Sequence, residues 1–168
     1  MPQASKEPLD TLRLAAAAAV VEREFPLAGF RRLVDRLATT DGVALARLTL
    51  GTSGGVPTGE LEVQAEAQLS CQRCLGPMRR SLRSTSQLAF VEREDTRAPA
   101  DYESIQGDPR RVDLAGLVED ELLLSLPLIP IHGAGEKCAA QDPREAGMGP
   151  AAQEMRRPFA RLKELLKH

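Results

Sequence analysis

Tryptophan is absent from this chain, tyrosine occurs once and phenylalanine four times in 168 residues. Stacking of unpaired bases on an aromatic platform, a common way to hold single-stranded nucleic acid, therefore has little to build on. A dominant charge is also missing. Twenty-two basic residues stand against 24 acidic ones, for a net charge of -2 and a pI near 5.8, so no general field attracts polyanions and any basic surface must be local. Cysteine is scarce and odd in number, at three, and no charged stretch followed by an apolar core opens the chain. That combination disfavours a secreted disulfide scaffold and predicts reduced thiols in a cytoplasmic protein. The apolar run "LAAAAAVV" ends at once in Glu22, Arg23 and Glu24 and falls far short of the roughly 20 residues that span a bilayer. We expect no membrane segment. A glycine-rich phosphate loop and the nucleophile signatures of hydrolases are lacking too, so neither an enzyme nor a small-molecule substrate is expected.

What is present is patterned. "AAAAAVVEREFP" is alanine-rich and permits a helix, and "PLAGFRRLVDRLA" sets Leu27, Phe30, Leu33, Val34 and Leu37 at helical spacing, which predicts an amphipathic helix over 27–38. Val43 to Leu50 reads as a strand, followed by a Gly, Ser and Pro cluster that reads as a loop. In "ELEVQAEAQLSC", Leu61, Val63, Ala65, Ala67, Leu69 and Cys71 alternate with polar residues, the period of a strand with one buried face. "QRCLGP" then predicts a hairpin turn into a second strand from Met78 to Val91. Arg79 and Arg83 point outward on that strand. Arg80 falls on the inner parity, so either the alternation breaks or its guanidinium reaches out along its apolar stem. Residues 92–111 are charged and proline-bearing, which predicts a flexible loop. Asp113 is placed to cap a helix beginning at Leu114 and stopping by Pro127. "LPLIPIH" reads as an extended or edge segment, 133–155 as weakly ordered, and "RPFARLKELLKH" as a basic amphipathic helix.

The chemistry concentrates at the turn. A C-x-x-C pair can aim both sulfurs into the hollow of a turn, where tetrahedral zinc takes thiolates at about 2.3 Å. His132 and Cys138 complete a four-donor set with Cys71 and Cys74. The H-x5-C spacing is not a second C-x-x-C, however, and the plainer reading leads: Cys71 as a small buried hydrophobe, Cys74 in the turn, and His132 and Cys138 in a flexible loop. A redox pair is disfavoured, because such motifs open a helix beside a parallel sheet while this one ends an alternating strand. Four arginines, Arg73, Arg79, Arg80 and Arg83, and no acid lie between 71 and 85. Glu119, Asp120 and Glu121 are consecutive on a helix, so they diverge and cannot meet on one ion. They read as a solvated or partner-facing side.

Taken together, "CQRCLGP" at a turn, "VDLAGLVEDELLLSLPLIPIH" with a cysteine six residues later, and the closing "RPFARLKELLKH" resemble the YceD family of large ribosomal RNA subunit accumulation proteins, from about Arg47 onward. The resemblance implies cytoplasmic, non-enzymatic support of ribosome biogenesis through synthesis, processing or accumulation of the large-subunit ribosomal RNA. It carries over Cys71, Cys74, Glu119, Asp120, Glu121, Leu126, Pro127, His132 and Cys138. Some relatives have further cysteines that look like a zinc site, whereas this chain has only Cys138 in its second half.

The expectation is one α+β domain over 1–168, an antiparallel sheet with flanking amphipathic helices, closure into a barrel being left open. Its contacts would be precursor ribosomal RNA, through Arg73, Arg79, Arg80, Arg83 and the basic C-terminal helix, or a processing protein, through the acids of the 114–126 helix. The alternative is a small zinc-stabilised interaction module whose ribosomal role is indirect.

Overall fold

The computed structural model describes residues 7–93, 98–133, 136 and 138. A short helix α1 (Thr11–Ala16) leads into strand β1 (Val20–Pro26), and three longer strands follow: β2 (Val43–Ser53), β3 (Val56–Ser70) and β4 (Pro77–Val91). A short β5 (Glu103–Gln106) and helix α2 (Leu114–Leu124) complete the described fold. The strands lie side by side in chain order. Three pairings are antiparallel, and β5 joins β4 in parallel. The sheet is therefore mixed and open, with β1 and β5 as its edges among the described residues, which corrects the all-antiparallel expectation and answers the question of barrel closure, left open by the sequence, in the negative.

The alternation read from the sequence is the alternation observed. Leu61, Val63, Ala65, Ala67 and Leu69 face a core shared with Leu82, Leu88 and Phe90 of β4 and with Leu114, Val118 and Leu122 of α2. Each large side chain of this set, fully buried, is worth about 1.5–3 kcal/mol relative to exposure. The β2–β3 turn is tighter than the loop expected. Its tip is Gly54–Gly55, with φ of 58° and 80°, and a two-residue turn with both φ positive matches the twist of the flanking strands. On the opposite, exposed face Arg47 sits between Glu22 of β1 and Glu62 of β3, at 3.5 and 3.9 Å.

Three expectations are corrected. The alanine run is helical only to Ala16; Ala18 turns left-handed at φ 46°, and Val20, Val21 and Phe25 enter β1. Residues 27–38 form two 3-10 turns, Leu27–Gly29 and Val34–Arg36, instead of an α-helix. The apolar residues are buried as the pattern requires, with Leu27 and Leu33 at 0 % exposure and Phe30 at 4 %. A spacing of three fits the 3-10 period as well as the α period, so burial alone does not separate them. Extended backbone at Phe30 breaks the run, and a carboxylate from α2 then supplies the acceptor that a helical carbonyl would have been. Finally, 92–111 is not a loop throughout: Ile105 of β5 packs against the core, and Pro109 and Val112 accept backbone bonds from Thr11 and Leu9.

Helix α2 begins where the sequence placed it, with the Asp113 carboxylate accepting from the Ala115 N–H at 3.1 Å. Two of its acids turn inward. The Glu119 carboxylate accepts from the backbone N–H groups of Arg32 and Leu33, at 2.6 and 3.2 Å, and from the Arg32 guanidinium at 3.0 and 3.1 Å. Glu121 accepts from the hydroxyls of Ser84 and Ser86 on β4. The solvated-side reading holds for Asp120 alone, which is exposed and pairs with Arg32 at 2.6 Å. Burial works against the charge on Glu119, but the N–H groups of Arg32 and Leu33 and then the guanidinium outweigh it and hold the carboxyl below its ordinary value. A depressed carboxyl stabilises the fold above its unfolded pKa, and that stability is lost as pH falls through the folded value. Glu119→Gln is expected to lower unfolding free energy near neutrality by about 1–3 kcal/mol, since charge-assisted bonds weaken and an amide now faces donors. Urea titrations should also show a flatter acid limb for the variant than for the parent chain.

Candidate metal centre and basic hairpin tip

The β3–β4 register runs without interruption from Thr58↔Ala89 to Ser70↔Pro77, so Cys71 to Gly76 form the tip. Cys71 N–H donates to the Gly76 carbonyl at 2.9 Å and Leu75 N–H to the Cys71 carbonyl at 2.8 Å. Closing this tight turn puts Leu75 in the left-handed region at φ 59°, a conformation that costs a non-glycine residue roughly 1–2 kcal/mol. Cys71 continues the inward parity and is fully buried, whereas Cys74 lies at the rim.

The extended segment after α2 returns to this tip. Gln72 N–H donates to the Pro130 carbonyl at 2.7 Å, and the Arg80 guanidinium donates to the Ile131 carbonyl at 2.9 Å. His132 and Cys138 arrive with it. One ligating atom from each of Cys71, Cys74, His132 and Cys138 falls within 4.8 Å of the others. The Cys71 and Cys138 sulfurs are 4.0 Å apart, and Cys74 Sγ is 3.5 Å from His132 Nδ1. The four residues are thus a converged set and not a buried thiol beside a loop. Three soft sulfurs and an imidazole form a donor set that suits a metal such as zinc.

Electrostatics at the cluster divide the two thiols of the turn. Burial pushes the Cys71 thiol up, but the backbone N–H groups of Cys74, Arg73 and His132 and the His132 ring bring it down to about 5. At Cys74 the Gly76 N–H acts to lower the thiol, and burial and the sulfurs of Cys138 and Cys71 outweigh it, raising the value. Hydrogen bonds to the Cys71 and Cys138 sulfurs hold the His132 ring above its ordinary value.

The three arginines of β4 divide by parity, and Arg73 sits in the turn. Arg80 keeps the inner parity opposite the small Ala67, and the alternation is unbroken; its guanidinium extends past the sheet to Ile131. Arg73 donates its backbone N–H to Cys71 Sγ at 3.4 Å and its Nε to Cys138 Sγ at 3.2 Å. Both of these arginines serve the cluster and the returning segment. Arg79 and Arg83 lie exposed on the outer face of β4, opposite Gln68 and Gln64, with no ion-pair partner among the described residues. Arg83 also borders an open hollow of about 740 Å³ together with Glu22, Arg47 and Glu62. The basic C-terminal helix expected from the sequence lies outside the described residues, as does most of 133–155.

A set of exposed apolar residues at the tip, at the end of α2 and in the segment after it was not singled out in the sequence. Leu75, Leu124, Leu128, Ile129 and Ile131 are all exposed, and the only sign of it was an uncharged run from Leu122 to Gly133 interrupted by two prolines. Ordering backbone costs about 1–2 kcal/mol per residue, and a net hydrogen bond returns about 1 kcal/mol. The two bonds to Pro130 and Ile131 do not offset the ordering of 127–133, and its apolar side chains are not buried there.

A family model described as large ribosomal RNA subunit accumulation protein YceD matches residues 59–166. The chain belongs to the YceD family. Among curated relatives, a Haemophilus influenzae protein named large ribosomal RNA subunit accumulation protein YceD is 36% identical over 111 residues. The aligned part is 62% of this chain and 62% of that relative. No solved structure gives a significant match. The YceD match takes in the hairpin tip, α2 and all four donors. It begins at Gly59, so most of β3 and all of β4 lie within it while α1, β1 and β2 precede it. No helix among the described residues is long and apolar enough to cross a membrane.

If Arg80 tethers the returning segment, Arg80→Leu, which suits its inward position, should speed exchange of the Gln72 amide, whose N–H donates to the Pro130 carbonyl, severalfold. Arg79→Ala, one residue away on the outer face, should leave that exchange unchanged by mass spectrometry.

Proposed function

We propose that this chain is a non-enzymatic, cytoplasmic accessory factor that supports synthesis, processing or accumulation of the large-subunit ribosomal RNA. The observation that carries the reading is the family match across the hairpin tip, α2 and the segment beyond, together with the 36% identical relative that bears that function in its name. The contact we favour is with phosphates of folded precursor RNA, made by Arg79 and Arg83 from the outer face of β4. Two considerations support it: these guanidiniums project from a rigid strand, and phosphate contact needs no aromatic platform. An rRNA-processing protein as the direct partner is the other outcome. Contact through the acids of α2 loses support, because Glu119 and Glu121 are spent internally.

A second reading, a small zinc-stabilised interaction module with an indirect ribosomal role, is favoured by the convergence of Cys71, Cys74, His132 and Cys138. The two readings part at the arginines.

Deletion of the gene is expected to reduce mature large-subunit RNA and to enrich its precursors; an unchanged RNA profile would sink the first reading. In the deletion strain, Arg79→Glu with Arg83→Glu should fail to restore the profile and should lose RNA crosslinks, while its melting temperature stays at the parental value. Restoration by this double variant, or retained protein crosslinks with no RNA crosslinks in the parent, would assign the contact to a protein.

A further inference from the structure

We propose that Cys71, Cys74, His132 and Cys138 bind one Zn²⁺ in closed tetrahedral coordination, and that the ion is the fastener that holds the segment after α2 on the hairpin tip. The inference deepens the zinc-stabilised reading, on which it rests, and is independent of any contact with RNA.

The spacing is that of a tetrahedron. Zinc–sulfur bonds of about 2.3 Å and zinc–nitrogen bonds of about 2.0 Å set two sulfurs about 3.8 Å apart and a sulfur and a nitrogen about 3.5 Å apart. The observed separations are 4.0 Å for Cys71 Sγ to Cys138 Sγ and 3.5 Å for Cys74 Sγ to His132 Nδ1. A disulfide needs sulfurs at about 2.05 Å and would leave the imidazole without a purpose at the tip. Four protein donors fill the coordination shell, which is the arrangement of structural zinc and leaves no open position for catalysis.

The donors' origins give the ion its task. Two come from the β3–β4 turn and two from the segment that returns 58 residues or more later, so one ion ties together parts of the chain whose other described links include hydrogen bonds to the Pro130 and Ile131 carbonyls and from Arg73 to Cys138 Sγ. Leu128 and Ile129, between α2 and His132, are exposed and do not anchor the segment. The outer shell also fits. Three thiolates around Zn²⁺ carry one net negative charge, and the Arg73 guanidinium, bonded to Cys138 Sγ at 3.2 Å, supplies the balancing positive charge.

The full chain, purified under reducing conditions without chelator, should contain one equivalent of zinc by plasma mass spectrometry. Cobalt(II) in its place should give the intense visible bands of a tetrahedral thiolate site. Cys138→Ser and His132→Ala should each lower zinc affinity at least tenfold, and Cys74→His, which keeps the donor count, should retain more metal than Cys74→Ser. Zinc well below one equivalent with no tetrahedral cobalt spectrum would overturn the site. Amide exchange reads the fastening separately. Removal of the metal should deprotect the Gln72 amide, whose N–H donates to the Pro130 carbonyl, at least tenfold while β3 stays protected. A stoichiometric ion whose removal leaves the Gln72 amide as protected as before would overturn the fastener role while leaving occupancy intact.

Discussion

The register of β3 against β4 decides what every side chain near the tip can do. Thirteen residues pair in sequence from Thr58↔Ala89 to Ser70↔Pro77, and a slip of one position would turn each of them to the other face. In the observed register Cys71 extends the buried parity of Leu61 to Leu69, and Arg79 and Arg83 share the outer face. Arg80 is left on the inner parity, where its stem lies along the sheet and its charge emerges at the end. The division of Arg80 from Arg79 and Arg83 is a consequence of strand parity, while Arg73 reaches the cluster from the turn itself.

The second constraint is the pair of buried carboxylates on α2. Glu119 replaces helical carbonyls as the acceptor for the 27–37 segment, and Glu121 ties α2 to two serines on β4. Consecutive helical residues diverge, and here divergence is what lets Glu119, Asp120 and Glu121 reach three different surroundings. A buried carboxylate with its hydrogen bonds satisfied sets position more sharply than an apolar contact does, because leaving its donors unpaired is costly.

Much of this was legible in the sequence, and the failures have physical causes. The strand from Leu61 to Cys71, the hairpin and the Asp113 cap were read from local signals that act within a few residues: period-two alternation, Gly and Pro at a turn, and an acid before an apolar run. The 27–38 helix was misread because its apolar spacing fits two periods, and the deciding partner, Glu119, lies 87 residues away. Strand β5 was missed because four residues beside a charged stretch carry no period, and its pairing to β4 comes from tertiary structure. The donor set was legible as a list but not as a cluster, since H-x5-C spacing does not state that the segment after α2 doubles back to the turn. The inward turn of Glu121 toward Ser84 and Ser86 had no local signal at all.

The chain order of the four donors has a consequence in time. Synthesis delivers Cys71 and Cys74 first, on a hairpin made of near-neighbour pairings, and His132 and Cys138 emerge only after β5 and α2 have followed. The tip is therefore the last part of the described fold to be finished during translation, and a nascent chain still attached to its own ribosome presents two thiols before their partners exist.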